Sequence, residues 1–108
     1  MVSNGSLHLK QTRFSKDMRP IDDKCPCTTC RTYSRAYLHT IVHKEAVACH
    51  LLSVHNITYQ LRLMTGMRNA IIADTFPDFV KTFMGDMYEN QPVPAWVTNS
   101  LKAVGIEV

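Results

Sequence analysis

A chain of 108 residues is long enough for one small domain. Hydrophobic residues at 45% and charged residues at 19% fit an ordered globular protein and exclude a disordered one. No apolar run approaches the roughly 20 residues of a membrane-spanning helix, and a formal net charge of +3 permits contact with nucleic acid without demanding it.

Met1 to Lys10 is polar and lacks the apolar centre of a secretory signal. A reducing, cytoplasmic location is the corresponding expectation, and there clustered cysteines bind metal more often than they form disulfides. Leu7-His8-Leu9-Lys10 alternates apolar and polar, which predicts a short half-buried strand. Phe14 opens a second short extended piece, and Arg19-Pro20-Ile21-Asp22-Asp23 reads as a turn. Residues 1–33 are therefore expected to form small β-hairpins folded around a metal.

The turn leads into Cys25-Pro26-Cys27-Thr28-Thr29-Cys30. Three thiols in six residues converge on one point. Cys25 and Cys27 are too close together to serve two separate disulfide loops comfortably. Zinc takes four Cys or His ligands, and such a closed tetrahedral site is structural. Three thiolates, a neutral His and the ion would leave the loaded chain at about +2.

From Ser34 the pattern becomes helical. Tyr33, Tyr37, Ile41 and Lys44 share one face, with Leu38 and Val42 beside it. A second helical run covers about Ala46 to Ser53. A third starts near Asn56, where Ile57, Leu61, Met64, Met67 and Ile71 recur at helical spacing, with Gly66 inside it. Thr75-Phe76-Pro77-Asp78 signals a fourth helix: Thr75 can cap, Pro77 fits the first turn, and Asp78 suits the positive end of the dipole. Glu89 to Pro94 interrupts the pattern. A short last helix runs from Ala95 to Val104, and Gly105 ends it. The chain thus divides into 1–33 with the cysteines, 34–88 as a helical region, and 89–108 as a Pro-containing linker and terminal helix. The fold class is α+β, four to five helices following the hairpins. The helices carry more apolar face than the small sheet could cover, so they form their own bundle or meet a body outside these residues.

The fourth metal ligand has several candidates: His39, His43, Cys49, His50 and His55. His39 and His43 lie four apart on one face and could form a separate pair, or simply be solvated. Cys49 reads as a small buried hydrophobe. His55, at the head of the third helical run, is well placed. Spacing leaves the choice open.

Gly5 to Lys10, Arg19-Pro20-Ile21-Asp22, the Cys-x-Cys-x-x-Cys cluster, Ser34 to His39, and His55-Asn56 occur in the order seen at the C-terminal end of tRNA-guanine transglycosylases. Phe76 to Val80, Phe83 to Gly85, Met87-Tyr88 and the tail Val104-Gly105-Ile106 extend the likeness over almost the whole chain. The sequence resembles the C-terminal part of a queuine tRNA-ribosyltransferase catalytic subunit of eukaryotic type.

The resemblance implies one structural zinc ion held by Cys25, Cys27, Cys30 and His55. It implies, for the full enzyme, exchange of guanine for queuine at the tRNA wobble position through a covalent aspartyl-ribosyl intermediate. That chemistry would sit on a TIM-type barrel of about 250 residues preceding the zinc segment. A chain of this length holds no such barrel, and Asp17, Asp22, Asp23, Asp74, Asp78 and Asp86 do not match the catalytic motifs. No catalytic residue is assigned. The chain is expected to be a piece of a longer protein or a truncated gene product with Met1 an internal methionine, inactive by itself.

The resemblance further implies pairing with an identical or related accessory subunit through Tyr33 and Tyr37, with Thr40 at a position often held by His. The tyrosines could instead merely cover the metal knot. Lys10, Arg13, Lys16, Arg19, Lys24, Arg31 and Arg35 could meet tRNA phosphates or form an ordinary solvated surface. Association with the mitochondrial surface follows only by family analogy. The alternatives from other classes are a stand-alone zinc-binding module for RNA or protein, and a non-catalytic subunit that binds an active partner.

Overall fold

The computed structural model describes all residues from Met1 to Val108, and it is helical. A one-turn 3-10 helix (Thr12–Phe14) precedes five α-helices. These are α1 (Thr28–Thr32), α2 (Arg35–Ile41), α3 (Ala46–Ile72), α4 (Phe76–Met87) and α5 (Ala95–Ala103). There is no β-strand, hence no hairpin and no remnant of a barrel, and the expected α+β class is corrected to all-α.

The reason lies in what alternation reports. Leu9 is buried and Leu7 half-buried while His8 and Lys10 face solvent, so the pattern correctly marks a sidedness. A strand also needs a partner backbone to pair with. Here the carbonyls find other donors. His8 O accepts from Gln11 N–H in a turn at 2.9 Å, and Leu9 O meets the His39 ring.

Two compact units divide the chain. The first comprises Met1–Val2 and Ser6–Arg62, the second Ser3–Gly5 and Leu63–Val108. The core of the first gathers Val2, Leu9, Phe14, Ile21, Leu38, Ile41 and Ala48 around the buried Cys25, Cys27 and Cys30. Leu38 and Ile21 are sealed from solvent, each such burial contributing about 1.5–3 kcal/mol. Arg35, at the start of α2, fastens the loop that leads to the cysteines. Its guanidinium donates to Pro20 O at 2.9 Å and Ile21 O at 2.8 Å, and pairs with Asp17 at 3.2 Å. Ser34 caps α2 by accepting from Tyr37 N–H.

In the second unit the rings of Phe76, Phe79 and Phe83 stack along α4 at centroid separations of 6.1 and 6.4 Å. Phe79 reaches Gly66 of α3, where an added Cβ would come within 3.2 Å of the ring. Thr75 precedes α4 but makes no side-chain cap; its hydroxyl lies 3.5 Å from Ala70 O, back on α3. Gly105 ends α5 with φ +81°, and Ile106 N–H and Gly105 N–H return to Leu101 O and Lys102 O.

α3 departs most from the sequence pattern. The two runs read as separate helices are one helix of 27 residues. Ser53-Val54-His55-Asn56 contains neither Gly nor Pro, so nothing breaks the ladder. The regular apolar series is moreover mostly exposed, with Ile57, Leu61, Met64 and Ile71 at 60%, 63%, 52% and 61%. What α3 buries is small or polar: Ala48, His55 and Ala70.

Candidate metal centre

The centre forms where α1 meets the middle of α3. Cys27 sits at the N-cap of α1 with extended backbone, and its Sγ accepts the Cys30 N–H at 3.3 Å. In the C-x-x-C spacing the second cysteine is therefore the third residue of a helix whose cap is the first. One turn brings both sulfurs to the same side. Cys25 is set by a turn in which its N–H donates to Asp22 O at 3.2 Å.

His55 comes from α3, mid-helix rather than at a helix head. Its Nδ1 lies 3.2 Å from Cys30 Sγ and 3.6 Å from Cys27 Sγ. Its Nε2 lies 2.7 Å from the Met1 carbonyl oxygen. A carbonyl only accepts, so Nε2 carries the proton and Nδ1 turns a lone pair toward the sulfurs. Backing a ring by a carbonyl in this way is how metal-bound histidines are oriented.

The donor atoms of Cys25, Cys27, Cys30 and His55 all lie within 4.8 Å of one another, and His55 is 0% exposed. Tetrahedral zinc, with Zn–S about 2.3 Å and Zn–N about 2.0–2.1 Å, sets its ligand atoms about 3.5–3.8 Å apart. The cluster fits a closed, structural zinc site. Thiols packed so tightly disturb one another's ionisation. Burial pushes the Cys30 thiol up to about 12. Burial also acts to raise Cys27, but hydrogen bonds, first that of Cys30 N–H, bring it below its ordinary value. Burial likewise lowers the His55 imidazole, favouring the neutral form a metal needs.

The other candidates lie elsewhere. Cys49 is exposed, against the expectation of a buried hydrophobe, because Ala48 takes the inward position beside it. His50 and His43 are exposed. His39 is half-buried, its Nδ1 at 2.6 Å from Leu9 O, so it is not simply solvated.

Sequence reasoning gave no role to Thr29, which is fully buried and donates its hydroxyl to Leu51 O at 2.8 Å. Nor did it find the Asp17–Arg35 clamp. An Arg at the first position of α2 reads as surface charge, and only the loop carbonyls folded over it explain its burial. Of the seven cations in the first third, Arg35 is thus committed internally, while Lys10, Arg13, Lys16, Arg19, Lys24 and Arg31 are exposed. Tyr33 and Tyr37 stack at 5.2 Å with ring planes 17° apart, Tyr37 remaining 46% exposed. No helix is long and apolar enough to cross a membrane.

The family model described as Queuine tRNA-ribosyltransferase matches residues 1–89. The chain is 44% identical to the queuine tRNA-ribosyltransferase catalytic subunit of Caenorhabditis briggsae over 97% of this chain and 30% of that protein. Against the catalytic subunit of Schizosaccharomyces pombe the identity is 33%, over 100% of this chain and 29% of the relative. A queuine tRNA-ribosyltransferase of Listeria welshimeri is 41% identical over 85% of this chain and 24% of its own length. The chain therefore spans about 30% of the length of the catalytic subunits it matches. With the match running through the cysteines, His55 and most of the helices around them, the chain belongs to the queuine tRNA-ribosyltransferase family.

Proposed function

We propose that this chain is a zinc-stapled module without chemistry of its own. Cys25, Cys27, Cys30 and His55 hold one structural zinc ion, and the module serves contacts to RNA or to another protein subunit. The observation that carries this reading is the geometry of four mutually close donors, with His55 Nδ1 turned to the sulfurs by the Met1 carbonyl. Four protein ligands fill a tetrahedral ion and leave no position for a reacting water. The ion's contribution is to tie α1 to α3 and so fix the surfaces around them.

Two surfaces support the contact role. The stacked pair Tyr33–Tyr37 is an aromatic anchor suited to a protein partner, an identical or related subunit. The exposed cations of the first third suit tRNA phosphates. A second reading, favoured by the similarity that runs along the chain, sets this module in a protein that exchanges guanine for queuine at the wobble position of tRNA, in the cytoplasm. The base exchange would then depend on the barrel and aspartate nucleophile that the family resemblance implies.

Elemental analysis of the purified chain should find one zinc per molecule, and none in Cys27→Ser. Absence of zinc from the wild type would overturn the staple. Incubation with guanine-labelled tRNA should release no guanine, and release would overturn the non-catalytic reading.

A further inference from the structure

His39 lies in the last turn of α2, and His43 follows four residues later in the turn beyond it. Their rings stand edge to face, 89° apart with centroids 5.9 Å from each other. His39 Nδ1 lies 2.6 Å from the Leu9 carbonyl oxygen. That oxygen accepts and cannot donate, so the proton sits on Nδ1 and Nε2 keeps its lone pair. The device is the one at His55, with the two nitrogens exchanged: a backbone carbonyl fixes the tautomer and the ring direction. His43 is exposed on the solvent side of the pair.

We propose that His39 and His43 form a second metal site, solvent-open and separate from the cysteine cluster, for a borderline divalent transition-metal ion. Two imidazoles four residues apart, one on the last turn of α2 and one in the turn beyond it, are a bidentate nitrogen donor. Centroids 5.9 Å apart keep both rings within reach of one ion at metal–nitrogen distances of about 2.0–2.1 Å once the exposed His43 ring rotates toward His39 Nε2. Water completes the coordination. No third Cys, His, Asp or Glu donor clusters with the pair, which the exposed Lys44 and Glu45 follow in the chain, so selection rests on the imidazole donors. Cu(II) and Ni(II) are then preferred over harder ions such as Mg(II), which seek oxygen.

The test is a Ni(II) titration of the zinc-loaded full chain, followed by imidazole NMR signals of its five histidines. Ring signals of His39 and His43 should broaden at substoichiometric nickel, while exposed His50 keeps its linewidth and no zinc is released. In His43→Ala, the broadening of His39 should require at least tenfold more nickel. His43 is exposed, so that variant keeps its fold, which circular dichroism checks. Equal broadening of His50, nickel uptake only by displacing zinc, or unchanged broadening of His39 in His43→Ala would each overturn the proposal.

Discussion

The Thr29 hydroxyl donates a 2.8 Å hydrogen bond to the Leu51 carbonyl, with Thr29 fully buried. Thr29 adjoins Cys30, and Leu51 lies one helical turn before His55. This bond therefore sets the approach of two groups whose donor atoms stand 3.2 Å apart. Removing it with Thr29→Val preserves shape but deletes the donor. The zinc-loaded variant is expected to lose about 1–2 kcal/mol, seen as a lower urea midpoint, while still holding one zinc. An unchanged midpoint would show that the ion alone sets the α1–α3 contact.

Cysteine reactivity should report the metal directly. Cys49 is exposed, whereas Cys25, Cys27 and Cys30 are buried in the cluster. Alkylation of the native zinc-loaded chain should modify one cysteine, Cys49. After chelation, four should react, because the freed thiols lose the ion that holds them. Mass spectrometry counts the labels. Four labels before chelation would contradict a closed zinc site.

The convergence of the three cysteines was legible because Cys-x-Cys-x-x-Cys confines the sulfurs whatever the fold. Spacing alone left His55 among five candidates, since α3 brings residue 55 to the cluster only through tertiary packing, and it was the family resemblance that named it. Spacing also suggests a helix start at His55, where the backbone in fact continues unbroken from Ala46. Alternation at Leu7–Lys10 reported one buried side, and the strand inferred from it failed for lack of a partner. The series Ile57, Leu61, Met64 and Ile71 shows the same limit: its period identifies helix correctly, but these side chains are exposed. Periodicity determines which residues share a face; what covers the face is a separate fact.

Asp17 should make the fold acid-sensitive in a recognisable way. Hydrogen bonds from Arg19, with help from Arg35, hold its carboxyl well below the ordinary 3.8. The unfolded chain then takes up this proton first as pH falls through about 4, so acid favours unfolding. The stabilisation is complete above that pH and fades below it. At pH 7, Asp17→Asn should melt at a lower temperature than the wild type, and the gap should narrow steadily as pH falls from about 4 toward about 2. Acid also releases zinc, but from both proteins alike. A gap that stays constant down to that pH would assign the loss to packing instead of charge.

The end of α3 repeats the end of α5 with one difference. Thr75 N–H returns to Ala70 O at 2.8 Å and Asp74 N–H to Ile71 O at 3.1 Å, the same pair of bonds that Ile106 and Gly105 make on α5. The left-handed residue is Gly105 at φ +81° in one case and Asp74 at φ +58° in the other. An L-residue there carries strain of about 1–2 kcal/mol, less for Asp than for a branched side chain. Asp74 also places a negative charge just beyond the C-terminal, negative end of the α3 dipole. Glycine relieves both but makes the unfolded chain more flexible, at a cost of about 0.4–1 kcal/mol. Asp74→Gly is therefore expected to stabilise by about 0.5–1 kcal/mol, and Gly105→Ala to destabilise by about 1 kcal/mol. Urea unfolding of the two variants measures both signs. A loss of stability in Asp74→Gly would mean that the Asp74 side chain contributes more at this position than its strain removes.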